Sequence, residues 1–256
     1  MNVQTPPAPL SYSAIWADAA RMLAANAGLL TALAGVFLFL PAVLEARFFP
    51  APEGWRTLNE WFELMQAHSA RHWPWMLLSM LLNLIGVVAI YLLLLAQPRL
   101  TVGGAVLRAL AILPFYWVLQ VIVGIAWGIG FMLLIVPFFF LLGKLVLAAP
   151  ILVAEAPRAP FTAIERAWKR SAGRAWAIAG MVVLVYLAIL IISMAVRIAL
   201  GIVVLLLLGR EGMGGLLLAL LHGTVVAVVS VITTVLVTAI YRAVSPASQP
   251  APPRPA

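Results

Sequence analysis

The sequence predicts an all-α integral membrane protein, a bundle of six transmembrane helices with amphipathic helices at the membrane interface. Three observations carry that prediction. Hydrophobic residues make up 65% of the 256 positions and charged residues only 9%, against roughly 25% charged in soluble domains. A chain so composed cannot cover itself with a polar surface. Its apolar residues fall in six runs close to the ~20 residues that cross a hydrocarbon core. Its basic residues lie mostly between those runs and favour one side of them.

In chain order the runs are Ala27–Leu44, Trp75–Ala96, Leu110–Val136, Phe138–Ala154, Ala175–Val196 and Gly214–Tyr241. Only Pro137 divides the third from the fourth, which favours a turn or a sharp break there. A further apolar stretch, Ile198–Leu208, either prolongs the fifth run past a bend at Gly201 or dips into the membrane edge. Three segments outside the runs have one apolar helical face: Tyr12–Leu23, Trp55–Trp73 and Phe161–Trp176. Such helices lie in the interface with Trp at head-group depth, or simply cap the bundle. Positions 1–26 therefore read as an N-terminal segment with an amphipathic helix and 27–244 as the six-span domain. Positions 245–256 are Pro-rich and read as a disordered tail. Similar basic leads before the first, third and fifth spans predict three repeated hairpins. The start of the chain lacks a basic n-region, so no cleaved signal peptide is expected.

The 16 Lys and Arg residues orient the bundle. Ten fall on the side of the N-terminus: Arg21, Arg99, Arg108, Arg158, Arg166, Lys169, Arg170, Arg174, Arg242 and Arg254. Arg47, Arg56, Arg71 and Arg210 fall on the other side, while Lys144 and Arg197 lie in or at the edge of spans. Cytoplasmic segments hold the basic excess. Both termini are accordingly expected in the cytoplasm of a bacterial inner membrane.

The same inventory restricts the chemistry. There are no cysteines, which removes disulfides, thiolate nucleophiles and Cys-ligated metals. The net charge of +8 is spread between spans, where it meets lipid head groups rather than nucleic acid. His68 and His72 stand at i, i+4 but lack a third ligand and the Glu of a zinc motif, so no metal or other cofactor is expected. No P-loop, nucleophile elbow or carboxylate dyad is present, and no enzyme activity is expected. Gly124 and Gly128 form a GxxxG, read first as intramolecular packing and second as a dimer face.

Ionisable residues inside spans are costly, about 2.5–3.5 kcal/mol on insertion scales, and are functional candidates by default. Lys144 lies seven residues into the fourth run, roughly 10 Å along a helix. Asn83 and His222 fall at comparable depth in the second and sixth. Arg197 and Glu45 lie near the outer ends of theirs. These five define a candidate outer-leaflet pocket for a lipid phosphate or another anion. The competing reading makes Lys144 structural, bonded to backbone carbonyls.

From Gly130 to Trp176 the chain carries Pro137, Lys144, Pro150 and Glu155, then Ala163, Trp168, Ser171 and Gly173 in an Ala-rich basic segment. This pattern, with the Tyr241-Arg242 exit from the last span, resembles the bacterial membrane domain attached to some glycerophosphoryl diester phosphodiesterases and its stand-alone relatives. Phe138 stands where that family usually has Gly, and Lys144 where Arg is common. The resemblance implies a six-span bundle. The catalytic barrel of the phosphodiesterases has no counterpart in these 256 residues, so the activity is not carried over. The expected role is binding, sensing or handling lipid, or supporting an envelope process, with membrane lipids as partners. The alternative is a small transporter for an amphiphilic or anionic solute.

Overall fold

A computed structural model of the chain describes residues 10–52, 54–96, 100–133, 135–155, 158–209 and 212–245. Positions 1–9 and the Pro-rich segment 246–256 lie outside the described residues, as do Glu53, Arg99, Arg210 and Glu211. All regular structure among the described residues is helical, and six helices or helix pairs are long and apolar enough to cross a membrane.

The first crossing runs continuously from Tyr12 to Phe48. Ser11 caps α1 (Tyr12–Ala34) by accepting from the Ala14 N–H. Asn26 then leaves helical geometry and donates its side-chain Nδ2 to the Met22 carbonyl at 2.9 Å. That kink falls where the amphipathic lead gives way to the apolar run. A π-helical turn, Gly35–Phe39, follows and feeds α2 (Leu40–Phe48). Tyr12–Leu23 thus lies on the N-terminal side of the kink, joined through Asn26 to the span beyond it.

The second crossing, α3 (Leu58–Leu95), begins on a capping box: Thr57 accepts from the Glu60 N–H and Glu60 reaches back to the Thr57 N–H. This satisfies two free donors of the first turn. The helix passes through Pro74 without ending, so the amphipathic segment Trp55–Trp73 leads directly into the span.

The third crossing is α4 (Val102–Leu133) and the fourth is divided into α5 (Ile135–Leu145) and α6 (Ala148–Glu155). Pro137 sits in the first turn of α5, where a missing N–H costs nothing. The break that matters comes later, at Val146–Leu147, and cuts the fourth crossing into two short pieces.

Only α7 (Pro160–Arg170) is a separate amphipathic helix. Gly173, with φ of +72°, turns the chain into α8 (Ala175–Leu208). The stretch Ile198–Leu208 thus prolongs the fifth helix, and Gly209, at φ of +71°, ends it. The sixth crossing is α9 (Met213–Val244).

Six antiparallel crossings place the start of α1 and the end of α9 on one face, here called the terminal face. Contacts confirm the arrangement: Asp18 meets Arg242 at 3.5 Å, and the Tyr12 hydroxyl donates to the Ala177 carbonyl at 3.3 Å. In the bundle α3 packs on α4, α4 on α5, α8 on α9, and α9 also against α1 and α2. Between lipid-facing helices close backbone approach does the work that water exclusion does elsewhere. Gly143 is the tightest instance, since a Cβ there would overlap the Ala175 carbonyl at the start of α8. Gly124 and Gly128 meet no other part of the described chain. The expectation that they serve intramolecular packing is therefore corrected: both face outward from the bundle.

Candidate functional site

On the terminal face Glu155, the last residue of α6, gathers three elements. Arg170 pairs with it through two bonds, Nη1 to Oε1 at 2.5 Å and Nη2 to Oε2 at 2.8 Å. Arg166 adds a contact to Oε2 at 3.3 Å, and the Tyr241 hydroxyl donates to Oε1 at 2.5 Å. Planar, two-point pairing of guanidinium and carboxylate is the strong form of this interaction. Partial burial works against the Arg170 charge, yet the hydrogen bond and charge of Glu155 outweigh it and hold the guanidinium above its ordinary value. Sequence reading quoted Glu155 and the Tyr241-Arg242 exit without joining them. Their separation in the chain hid the contact.

Lys144 belongs to this side of the molecule. Its side chain is buried, Nζ donates to the Trp168 carbonyl at 3.3 Å, and the ammonium sits 4.9 Å from the centre of the Trp168 ring. Ser171 reinforces the joint, donating to the Ala167 carbonyl at 2.8 Å and approaching the Lys144 carbonyl at 3.4 Å. The expected grouping of Lys144 with Asn83 and His222 is corrected. Because the fourth crossing breaks just beyond Lys144, the residue ends a short helix docked on α7. A buried cation there is satisfied by a carbonyl and an aromatic face.

The other expected residues do assemble in part, toward the face opposite the termini. Glu45 on α2 accepts from the Ser79 hydroxyl of α3 at 3.2 Å. Asn83 lies one turn further along α3, half-buried. The charges of Arg197 on α8 and Glu45 on α2 both act on His222 of α9. Gly223, next to His222, packs so closely on α2 that a Cβ would meet Val43 and Phe39. That contact brings the two helices together here. Arg197 is not near the end of its helix, since α8 continues to Leu208.

Arg197 also marks one end of a groove of about 400 Å³ between α8 and α9, whose walls include Tyr186, Ile189, Ser193, Met194 and Val229. Most of α8 is exposed along its length, so the rim of this groove faces lipid. Tyr186, Val229 and Ser230 are shared with a deeper recess of about 330 Å³ between α3, α4, the α5–α6 break, α8 and α9. A third groove of about 700 Å³ runs between α1 and α9 and is almost wholly apolar.

Six long apolar helices and lateral grooves between them define a multi-pass membrane protein. Comparison with protein-family models, with curated proteins and with solved structures finds no match to this chain.

Proposed function

We propose that the chain is a non-enzymatic lipid-binding protein of a bacterial inner membrane, with both termini cytoplasmic. The observation that carries this reading is the α8–α9 groove. It is open sideways, lined mostly by apolar side chains with Ser193 and Ser230 among them, and has one guanidinium, Arg197, at the end away from the terminal face. An anionic phospholipid fits that pattern, with its phosphate on Arg197 and an acyl chain along Met194, Leu190 and Tyr186. Guanidinium pairs well with phosphate oxygens. The resemblance of Gly130–Trp176 to the phosphodiesterase-associated membrane domain agrees with a lipid-facing role. The bias of Lys and Arg toward the terminal face supports the orientation.

Native mass spectrometry with lipid analysis tests the site, comparing wild type with Arg197→Gln after extraction in mild detergent. The expected result is a co-purifying anionic phospholipid, retained several-fold less by the variant at an unchanged melting temperature. Equal retention by both proteins, or none by either, overturns the reading. The chain has no cysteine, so Ala51→Cys and Ala172→Cys report topology directly. Ala51 is expected to react with an impermeant maleimide in intact spheroplasts and Ala172 only after lysis.

A further inference from the structure

Among the described residues, the deeper recess holds more hydrogen-bonding capacity than the protein uses. Tyr91 and Tyr116 both line it, at 5% and 2% exposure. Among the described residues neither hydroxyl makes a hydrogen bond, and the buried Nε1 of Trp127, which also lines the recess, has no partner. Gln120, one turn from Tyr116 on α4 and exposed at the rim, and Thr233 on α9 are likewise without one. In hydrocarbon an unmet polar group costs several kcal/mol in transfer to an apolar medium. Buried tyrosine hydroxyls in particular are ordinarily paired. The two phenols and the Trp127 Nε1, converging with Thr233 and the rim residue Gln120 on one space, point to an occupant.

The lining also restricts what that occupant is. No charged side chain borders the recess, so an ionised group would sit there uncompensated. A phenol donates more strongly than it accepts, so two phenols favour a ligand that offers oxygen lone pairs. Flat walls from Tyr91, Tyr116 and Trp127 suit a planar group. The volume stands at the lower end of small-molecule sites, about 300–1,000 Å³. The recess adjoins the α8–α9 groove, with Tyr186, Val229 and Ser230 lining both, so an attached apolar chain has a neighbouring groove to lie in.

We propose that this recess receives the uncharged, carbonyl-bearing head of an apolar-chain molecule whose chain lies in the α8–α9 groove, with Tyr91 and Tyr116 donating to its oxygens. The proposal rests on the reading of that groove as a lipid-chain site. An isoprenoid quinone and a neutral diacylglyceride share the required chemistry, and the experiment separates them.

Purified protein in detergent is titrated with decylubiquinone and, separately, with dioctanoylglycerol, and binding is read by native mass spectrometry and by the shift in melting temperature. One of the two probes is expected to bind saturably, and its identity names the source. The double variant Tyr91→Phe, Tyr116→Phe keeps both rings and is expected to bind that probe at least tenfold more weakly, as loss of two hydrogen bonds of ~1 kcal/mol each implies. Its melting temperature without probe is expected to equal or exceed that of wild type, because two unmet hydroxyls are gone. If that variant cannot be recovered, the single variants Tyr91→Phe and Tyr116→Phe each read the loss of one donor, about fivefold in affinity. Failure of both probes to bind wild type, or wild-type affinity in the hydroxyl-deleted variant, overturns the proposal. Arg197→Gln separates the two readings: it is expected to lose anionic phospholipid yet still bind the neutral probe saturably, with equal or higher affinity because the phospholipid chain no longer competes for the shared groove.

Discussion

Tyr241 donates its hydroxyl to Glu155 at 2.5 Å across 86 positions of sequence, tying the last turn of α9 to the end of α6. Arg170 completes the joint from α7 and also lies 3.4 Å from the Ser245 hydroxyl. One carboxylate thus holds three elements on the terminal face, where lipid packing alone gives little directional preference.

Glu155→Gln is expected to destabilise the bundle by about 2 kcal/mol, since two guanidiniums lose their countercharge at a partly shielded site. Tyr241→Phe is expected to cost about 1 kcal/mol for the lost hydrogen bond. The double variant should cost less than the sum, because both changes act on one carboxylate. Melting curves in detergent measure all three.

Glu165 offers the contrast. The hydrogen bond from Lys169, followed by its charge, holds the Glu165 carboxyl below the usual carboxylate range. A carboxyl lowered on folding stabilises above its unfolded pKa and loses that contribution as pH falls through the folded one. Both side chains are mostly solvent-exposed, 73% and 63%, so water screens the pair. Glu165→Gln is expected to melt with wild type at neutral pH, and any residual difference should close on acidification. A pH series of melting temperatures checks both statements.

Lys144 is expected to act as a structural tie. Lys144→Met should retain as much phospholipid as wild type and lose about 1–2 kcal/mol of stability, the scale of a desolvated cation–aromatic contact. Lipid analysis alongside melting distinguishes this from a ligand-binding role, which would lower retention first.

Gly143→Ala should destabilise by about 1–3 kcal/mol, because the new methyl overlaps backbone of α8 and forces the helices apart. Gly180→Ala, where a Cβ meets nothing within 4 Å, should instead gain up to ~1 kcal/mol from helix propensity. Opposite signs for one chemical change in the same helix pair are readable in a single melting experiment.

The six crossings were legible because composition and run length respond to the bilayer, which acts on every residue of a span. Partners were less legible. Depth is counted for Lys144 as though Phe138–Ala154 were one helix, although Pro150 cannot donate to the Val146 carbonyl one turn back and marks the break at Val146–Leu147. Arg197 shows the same limit, since α8 runs on to Leu208 and leaves it well inside the helix and not at an outer end. The recess was missed altogether. Tyr91, Tyr116 and Thr233 are unremarkable in isolation, and only packing of five elements brings them to one space.

The π-helical turn at Gly35–Phe39 has a consequence for Glu45. Such a turn holds one residue more than an α-helical stretch of the same function requires, and each residue is worth about 100° of rotation at 3.6 per turn. The direction in which α2 presents its side chains is thus set by a count of residues upstream and not by their identity. Removing any one residue from Gly35–Phe39 would restore α-helical phase, turn α2 by about 100° and part Glu45 from Ser79. The insertion works as an angular offset, and the carboxylate keeps its hydroxyl partner only because the offset is there.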